Sequence, residues 1–203
     1  MTERRSRAPR RIGVFGGTFD PPHLGHLALA ERARDQLGLE RVWFVPAADP
    51  PHKRDRAKSP FTRRLAMTRL AVRGNAAFQV SDLESRRPGP SYTVETLRAI
   101  LRRLPGRELV LLLGADSLDD LPTWHEPEEI ARLARLAVAP RGDRARRARR
   151  GAPPADFSLD APVLELSSSD LRARARRGES LRYLVPDAVA AYVRRYRLYA
   201  RSR

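Results

Sequence analysis

Two histidines three residues apart, His23 and His26, are the side chains in this sequence best spaced to act together on one group. They sit in Gly16-Gly17-Thr18-Phe19-Asp20-Pro21-Pro22-His23-Leu24-Gly25-His26. An apolar run, Ile12-Gly13-Val14-Phe15, leads into this stretch, and apolar residues at helical spacing follow it from Leu24. A strand, a backbone-rich turn and a helix N-terminus in that order make an anion site, because exposed N–H groups and the helix dipole both favour negative charge. Positions three apart lie on one side of a first helical turn, so both imidazoles can address one phosphate. Taken alone, Gly16-Gly17 is equally a plain tight turn. A zinc reading of the histidines would need further ligands, and with no cysteine and only His52 and His125 left it would have to recruit carboxylates.

A second polar cluster closes the chain's other half: Leu166-Ser167-Ser168-Ser169-Asp170-Leu171-Arg172. Three hydroxyls at the start of a helix supply a cap, and Ser168 and Ser169 offer hydroxyl or backbone donors. Arg172 lies within reach of an anion bound there. The plainer alternative is a serine N-cap followed by a solvated arginine. No G-x-G-x-x-G or G-x-x-x-x-G-K-[ST] stretch is present, which argues against a dinucleotide fingerprint and a P-loop.

Strands and helices must alternate to position these clusters. Strands are expected at 12–15, 41–46, 78–81, 108–113, 133–139 and 163–166. Helices are expected at 24–37 with Gly38 as C-cap, from a Ser59 cap to about Arg73, and at 93–103, 127–132, 169–177 and 186–196. That alternation means βαβ units and an α/β fold with a doubly wound parallel sheet. Ligands of such sheets lie beyond the carboxyl ends of the strands, where both polar clusters fall.

The chain has 203 residues, which suits a single domain over 11–203 with a disordered basic tail at 1–10 and a basic, mobile insertion at 141–156. Five arginines against one acid in the first eleven residues, and six against one in 141–150, carry more than half of the net charge of +16. Charge concentrated in a tail and a loop is a weak footprint for nucleic acid, which is not expected as the main partner. No apolar run approaches the ~20 residues of a membrane span and no signal-type apolar segment opens the chain, so a cytoplasmic protein without membrane contact is expected.

Gly16 to His26, together with Pro50-Pro51-His52-Lys53, Ser91-Tyr92-Thr93, Gly114-Ala115-Asp116, Trp124 and Ser-Ser-Ser-Asp-Leu-Arg at 167–172, in that order, resembles the bacterial nicotinate-nucleotide adenylyltransferases. The resemblance runs from about Arg11 to Leu198. His-x-Gly-His and the late serine-arginine motif mark the wider nucleotidyltransferase superfamily; the remaining elements narrow it. It implies the Rossmann-like, three-layer α/β/α fold of that superfamily and transfer of AMP from ATP to the 5′-phosphate of nicotinate mononucleotide, giving deamido-NAD and pyrophosphate. It implies catalytic roles for His23, His26, Lys53 and Arg172 on the phosphates. ATP contacts would come from Gly16, Gly17, Thr18, Phe19, Gly25, Gly114, Asp116, Ser168 and Ser169, with Asp116 accepting a ribose hydroxyl or serving only as an N-cap. Thr93, Trp124 and His125 would surround the nicotinate, Trp124 stacking on the ring or else anchoring the core. Magnesium would ride on the ATP phosphates, with no protein metal cage, and a homo-oligomer is possible. Ser169 stands where threonine is common in the family. The arginine-rich insertion has no family counterpart.

Overall fold

The strand Glu108–Gly114 alternates its side chains between two hydrophobic layers: Leu109, Leu111 and Leu113 face one, Val110 and Leu112 the other. A strand buried on both faces has to lie inside a sheet covered on both sides. The computed structural model describes residues 10–49, 59–139, 153–160 and 164–200, and in it this strand, β4, is a central member of a six-stranded, wholly parallel sheet. The others are β1 (Arg11–Gly17), β2 (Leu39–Pro46), β3 (Phe78–Val80), β5 (Arg135–Ala139) and β6 (Phe157–Ser158). Their order is β3-β2-β1-β4-β5-β6. Successive strands run outward from β1 to β3, and the chain then returns to β4 on the other side of β1, so the switch point lies between β1 and β4.

Seven helices complete the described residues: α1 (Leu24–Leu37), α2 (Phe61–Ala71), α3 (Thr93–Arg103), α4 (Ala115–Asp120), α5 (Pro127–Leu133), α6 (Ser168–Arg176) and α7 (Asp187–Arg195). Helices α3 and α5 cover one face through Val94, Leu97, Ile100 and Ile130, which pack on Ile12, Val14, Leu109 and Leu111. On the other face Ala30 and Ala33 of α1 meet Phe15, Val42 and Phe44. Beside them α2, α6 and α7 share a further cluster built on Met67, Leu171, Val189 and Val193. Gly38 ends α1 in the left-handed region (φ 60°), the conformation a C-cap glycine supplies without a Cβ penalty.

Two expectations fail. The sixth strand is Phe157–Ser158, and Leu164–Leu166 has no strand structure, so α6 is entered from an irregular approach. A two-residue strand carries no periodicity, whereas Leu164 and Leu166 beside Val163 imitate one. Ser59 does not cap α2: Pro60 holds that position, and the Ser59 backbone is bound elsewhere. Of the segment read as a basic insertion, 140–152 lies outside the described residues, while Asp156 closes on β5 through the Leu136 N–H at 2.8 Å and Arg135 at 2.9 Å. The tail 1–9 is also outside the described residues.

Candidate active site

The turn after β1 is shaped by its side chains before any ligand is considered. Phe19 takes a left-handed backbone (φ 49°) and buries its ring against Phe15, Phe44 and His26. His23 is the N-cap of α1, and its backbone N–H donates to His26 Nδ1 at 3.1 Å. A ring nitrogen that accepts carries no proton, so neutral His26 holds its proton on Nε2 and is a donor there. The two rings stack at 3.6 Å between centroids. Gly25 leaves room for that stack: a Cβ on it would stand 3.1 Å from His23 Nδ1 and 3.2 Å from Cε1, close enough to push the His23 ring by a few tenths of an ångström. Gly17 similarly leaves room for the Phe19 ring, at 3.0 Å, whereas Gly16 and Gly114, at the ends of neighbouring strands β1 and β4, have open space over their Cβ positions. No acidic residue stands in the first turn of α1.

The start of α6 is fastened to this turn. Ser168 Oγ donates to the Pro21 carbonyl at 2.9 Å, and Arg172 Nη1 donates to the Asp20 carbonyl at 2.8 Å. Arg172 Nη2 also reaches Ser169 Oγ at 3.2 Å, and Ser167 caps the helix by accepting from the Asp170 N–H at 3.1 Å. The two clusters separated by about 145 residues of sequence thus meet as one body. Asp20 is buried and binds on every side: Tyr199 Oη donates to Oδ1 at 2.6 Å and the Ser59 N–H to Oδ2 at 3.0 Å. Burial, with the neighbouring Asp20 carboxylate, holds the Tyr199 phenol protonated well above the ordinary tyrosine range.

On the other side of the switch point, Asp116 is exposed in the first turn of α4, directly after Gly114. Thr93 is the first residue of α3. Trp124 follows a short 3₁₀ turn, Leu121–Thr123, and packs half-buried on the core. The exposed His125 ring lies 4.3 Å from the ring of Tyr92, the N-cap of α3, so Thr93 and Trp124–His125 belong to one neighbourhood. Lys53 and His52 lie outside the described residues. Among the described residues no three His, Cys, Asp or Glu side chains gather as a metal site.

Sequence reasoning missed Asp20, Arg64, Glu84 and Tyr199 as parts of this machinery. Glu84 is buried, accepting from the Ala48 N–H at 3.2 Å and from Thr96 Oγ1 at 2.8 Å. Burial raises its carboxyl above the usual range, against the pull of hydrogen bonds from Ser91, Thr96 and Ala48. Arg64 did carry a signal. With Met67, Thr68 and Ala71 it occupies the buried face of α2, and a charged residue in an i, i+3, i+4, i+7 apolar row marks a buried charge.

A cytidylyltransferase-like family model matches residues 14–174. A probable nicotinate-nucleotide adenylyltransferase of Synechococcus sp. (strain JA-3-3Ab) is 50% identical over 196 residues, covering 94% of this chain and 95% of the relative. Another from Thermomicrobium roseum is 46% identical, covering 93% and 91%. The chain belongs to the nicotinate-nucleotide adenylyltransferases. The fold of this adenylyltransferase is also that of the Plasmodium falciparum nicotinic acid mononucleotide adenylyltransferase solved with NaAD, with a TM-score of 0.77 at 19% identity over 94% of this chain and 97% of that one. In this nucleotidyltransferase the turn into α1 and the start of α4 follow the carboxyl ends of the neighbouring strands β1 and β4. Among the described residues no helix is long and apolar enough to cross a membrane.

Proposed function

We propose that this protein transfers AMP from ATP to the 5′-phosphate of nicotinate mononucleotide. An acceptor phosphate oxygen attacks the α-phosphorus, the bond from that phosphorus to the bridging oxygen of the β-phosphate breaks, and pyrophosphate leaves as deamido-NAD forms. The acceptor oxygen is already anionic, so no protein base or covalent intermediate is needed. Catalysis consists of aligning two polyanions and meeting the charge that shifts onto the leaving group. His26 Nε2–H and the His23 ring serve as donors to the ATP phosphates. Arg172 adds fixed positive charge, with Ser168 and Ser169 beside it and Lys53 joining them. Gly16, Gly17, Gly25 and Gly114 let the nucleotide approach the backbone, Thr18 and Phe19 contact it, and Asp116 accepts from the ribose. Thr93, Trp124 and His125 receive the nicotinate ring. Magnesium arrives as part of the substrate, on the phosphates of ATP.

The observation that carries the reading is the fastening of α6 to the β1 turn through Arg172 and Ser168, which unites two anion-favouring helix starts at the switch point. Pyrophosphate release from ATP and magnesium with a panel of acceptors tests it. Release with nicotinate mononucleotide is expected. Release with phosphopantetheine instead would mark a sibling enzyme of the same fold.

A further inference from the structure

Among the described residues Arg64 is the bulkiest fully buried side chain, 2% exposed, and its hydrogen bonds to them all end on main-chain carbonyls. Nε donates to Ser59 at 3.0 Å, Nη1 to Thr18 at 3.0 Å and to Ala47 at 2.6 Å, and Nη2 to Ala48 at 3.2 Å. Thr18 belongs to the phosphate turn, Ala47 and Ala48 leave β2, and Ser59 leads into α2. One planar fork therefore ties three separate chain segments at a point behind the turn. Glu84 holds the opposite side of Ala48 by accepting its N–H, so that residue is gripped by a cation at its carbonyl and an anion at its amide.

Among the described residues no carboxylate hydrogen-bonds Arg64, and burying an arginine so is costly: burial draws its pKa below the ordinary arginine value against the charges of Asp20 and Glu84. An apolar residue there would leave the carbonyls of Thr18, Ala47, Ala48 and Ser59 without this donor. Lysine could not replace the fork, because one ammonium cannot address carbonyls spread around a plane. We infer that Arg64 is a positioning residue for the transfer, fixing Thr18 of the phosphate turn against Ala47–Ala48 and Ser59. The inference rests on the reading of that turn as the ATP site.

Arg64→Lys and Arg64→Ala test it, with wild type as the control for the reaction itself. Wild type that releases no pyrophosphate with nicotinate mononucleotide would sink the functional reading, whatever the variants do. Given wild-type activity, Arg64→Lys is expected to stay folded by circular dichroism and to lose about tenfold or more in kcat. In hydrogen exchange its Ala47, Ala48 and Asp49 amides should lose protection while those of β4 keep theirs. Arg64→Ala should recover part of its rate in millimolar methylguanidinium. Wild-type kcat in Arg64→Lys, or exchange that rises uniformly over the sheet, would overturn the inference. If Arg64→Ala does not fold, Arg64→Lys decides; if neither folds, Arg64 is a folding determinant and the positioning role is rejected.

Discussion

Asp20 and Glu126 are both carboxylates that hold a turn on the proposed substrate side of the sheet, and they work in opposite surroundings. Asp20 is 1% exposed and takes its donors from Tyr199 and the Ser59 backbone, while its carbonyl takes Arg172. Glu126, in a left-handed backbone (φ 50°) next to Trp124 and His125, is held by Arg98 at 2.7 Å with its side chain 40% exposed. Arg98 divides itself further between Glu95 and Glu129. The proposed phosphate turn is thus fixed from inside, by bonds that salt screens little, and the proposed acceptor turn from outside, by ion pairs that it screens more. Donors that must meet shifting charge gain from having no reorganisation left to do. A turn that receives a flat ring gains less from such rigidity.

The contrast breaks first at the histidines. His26→Ala removes a donor together with a ring packed on Phe15 and Phe19 and the acceptor of the His23 N–H; kcat is expected to fall about a hundredfold or more, with about 1 kcal/mol of stability lost at the helix cap. Unchanged turnover would remove His26 from the machinery. Arg172→Ala takes away both a charge and the grip on Asp20, and a loss of about tenfold to a hundredfold in kcat/KM for ATP is expected from steady-state rates.

Tyr199→Phe tests the buried side of the contrast without removing any group proposed to touch substrate. Loss of a hydrogen bond to a buried carboxylate is expected to cost about 1.5–3 kcal/mol in urea unfolding. The sign of its pH dependence follows from the raised phenol. The native state keeps its proton where the unfolded state loses it, so the contribution of Tyr199 to stability is level below about pH 10 and falls as pH rises above it. Tyr199→Phe should lack that alkaline loss, and a parallel decline in both proteins would show that another group causes it.

The exposed side should respond least. Arg98→Ala is expected to raise the KM for nicotinate mononucleotide only a few-fold, leaving the KM for ATP unchanged, in keeping with less than about 1 kcal/mol for surface ion pairs. Raising ionic strength should shrink the difference between wild type and variant. A salt-independent difference would place the Arg98–Glu126 pair among the buried contacts.

How much of this was legible in the sequence depended on distance along the chain. Helix Leu24–Leu37 was legible to the residue because its apolar period, N-terminal turn and Gly38 are all local. The parallel sheet was legible because Leu-Val-Leu-Leu-Leu at 109–113 suits only a strand covered on both faces. Asp20 was in plain sight within the motif, but its partners Tyr199 and Ser59 lie far off in sequence, and no spacing rule announces them. Ser59 looked like a cap because serine before an apolar period usually is one; its backbone was instead claimed by Asp20 and Arg64. The brief Phe157–Ser158 strand is set by pairing with Ala137 and Val138, a tertiary choice that two residues cannot encode.

The bonds from Arg172 and Tyr199 to Asp20 span 152 and 179 residues. In a chain made from its N-terminus, His23 and His26 therefore emerge well before Arg172 and Tyr199 and wait unfastened while the residues between are added. A chain that stops short of Arg172 holds the proposed phosphate donors but not the grip on the Asp20 carbonyl. The turn is made long before the residues that finish it.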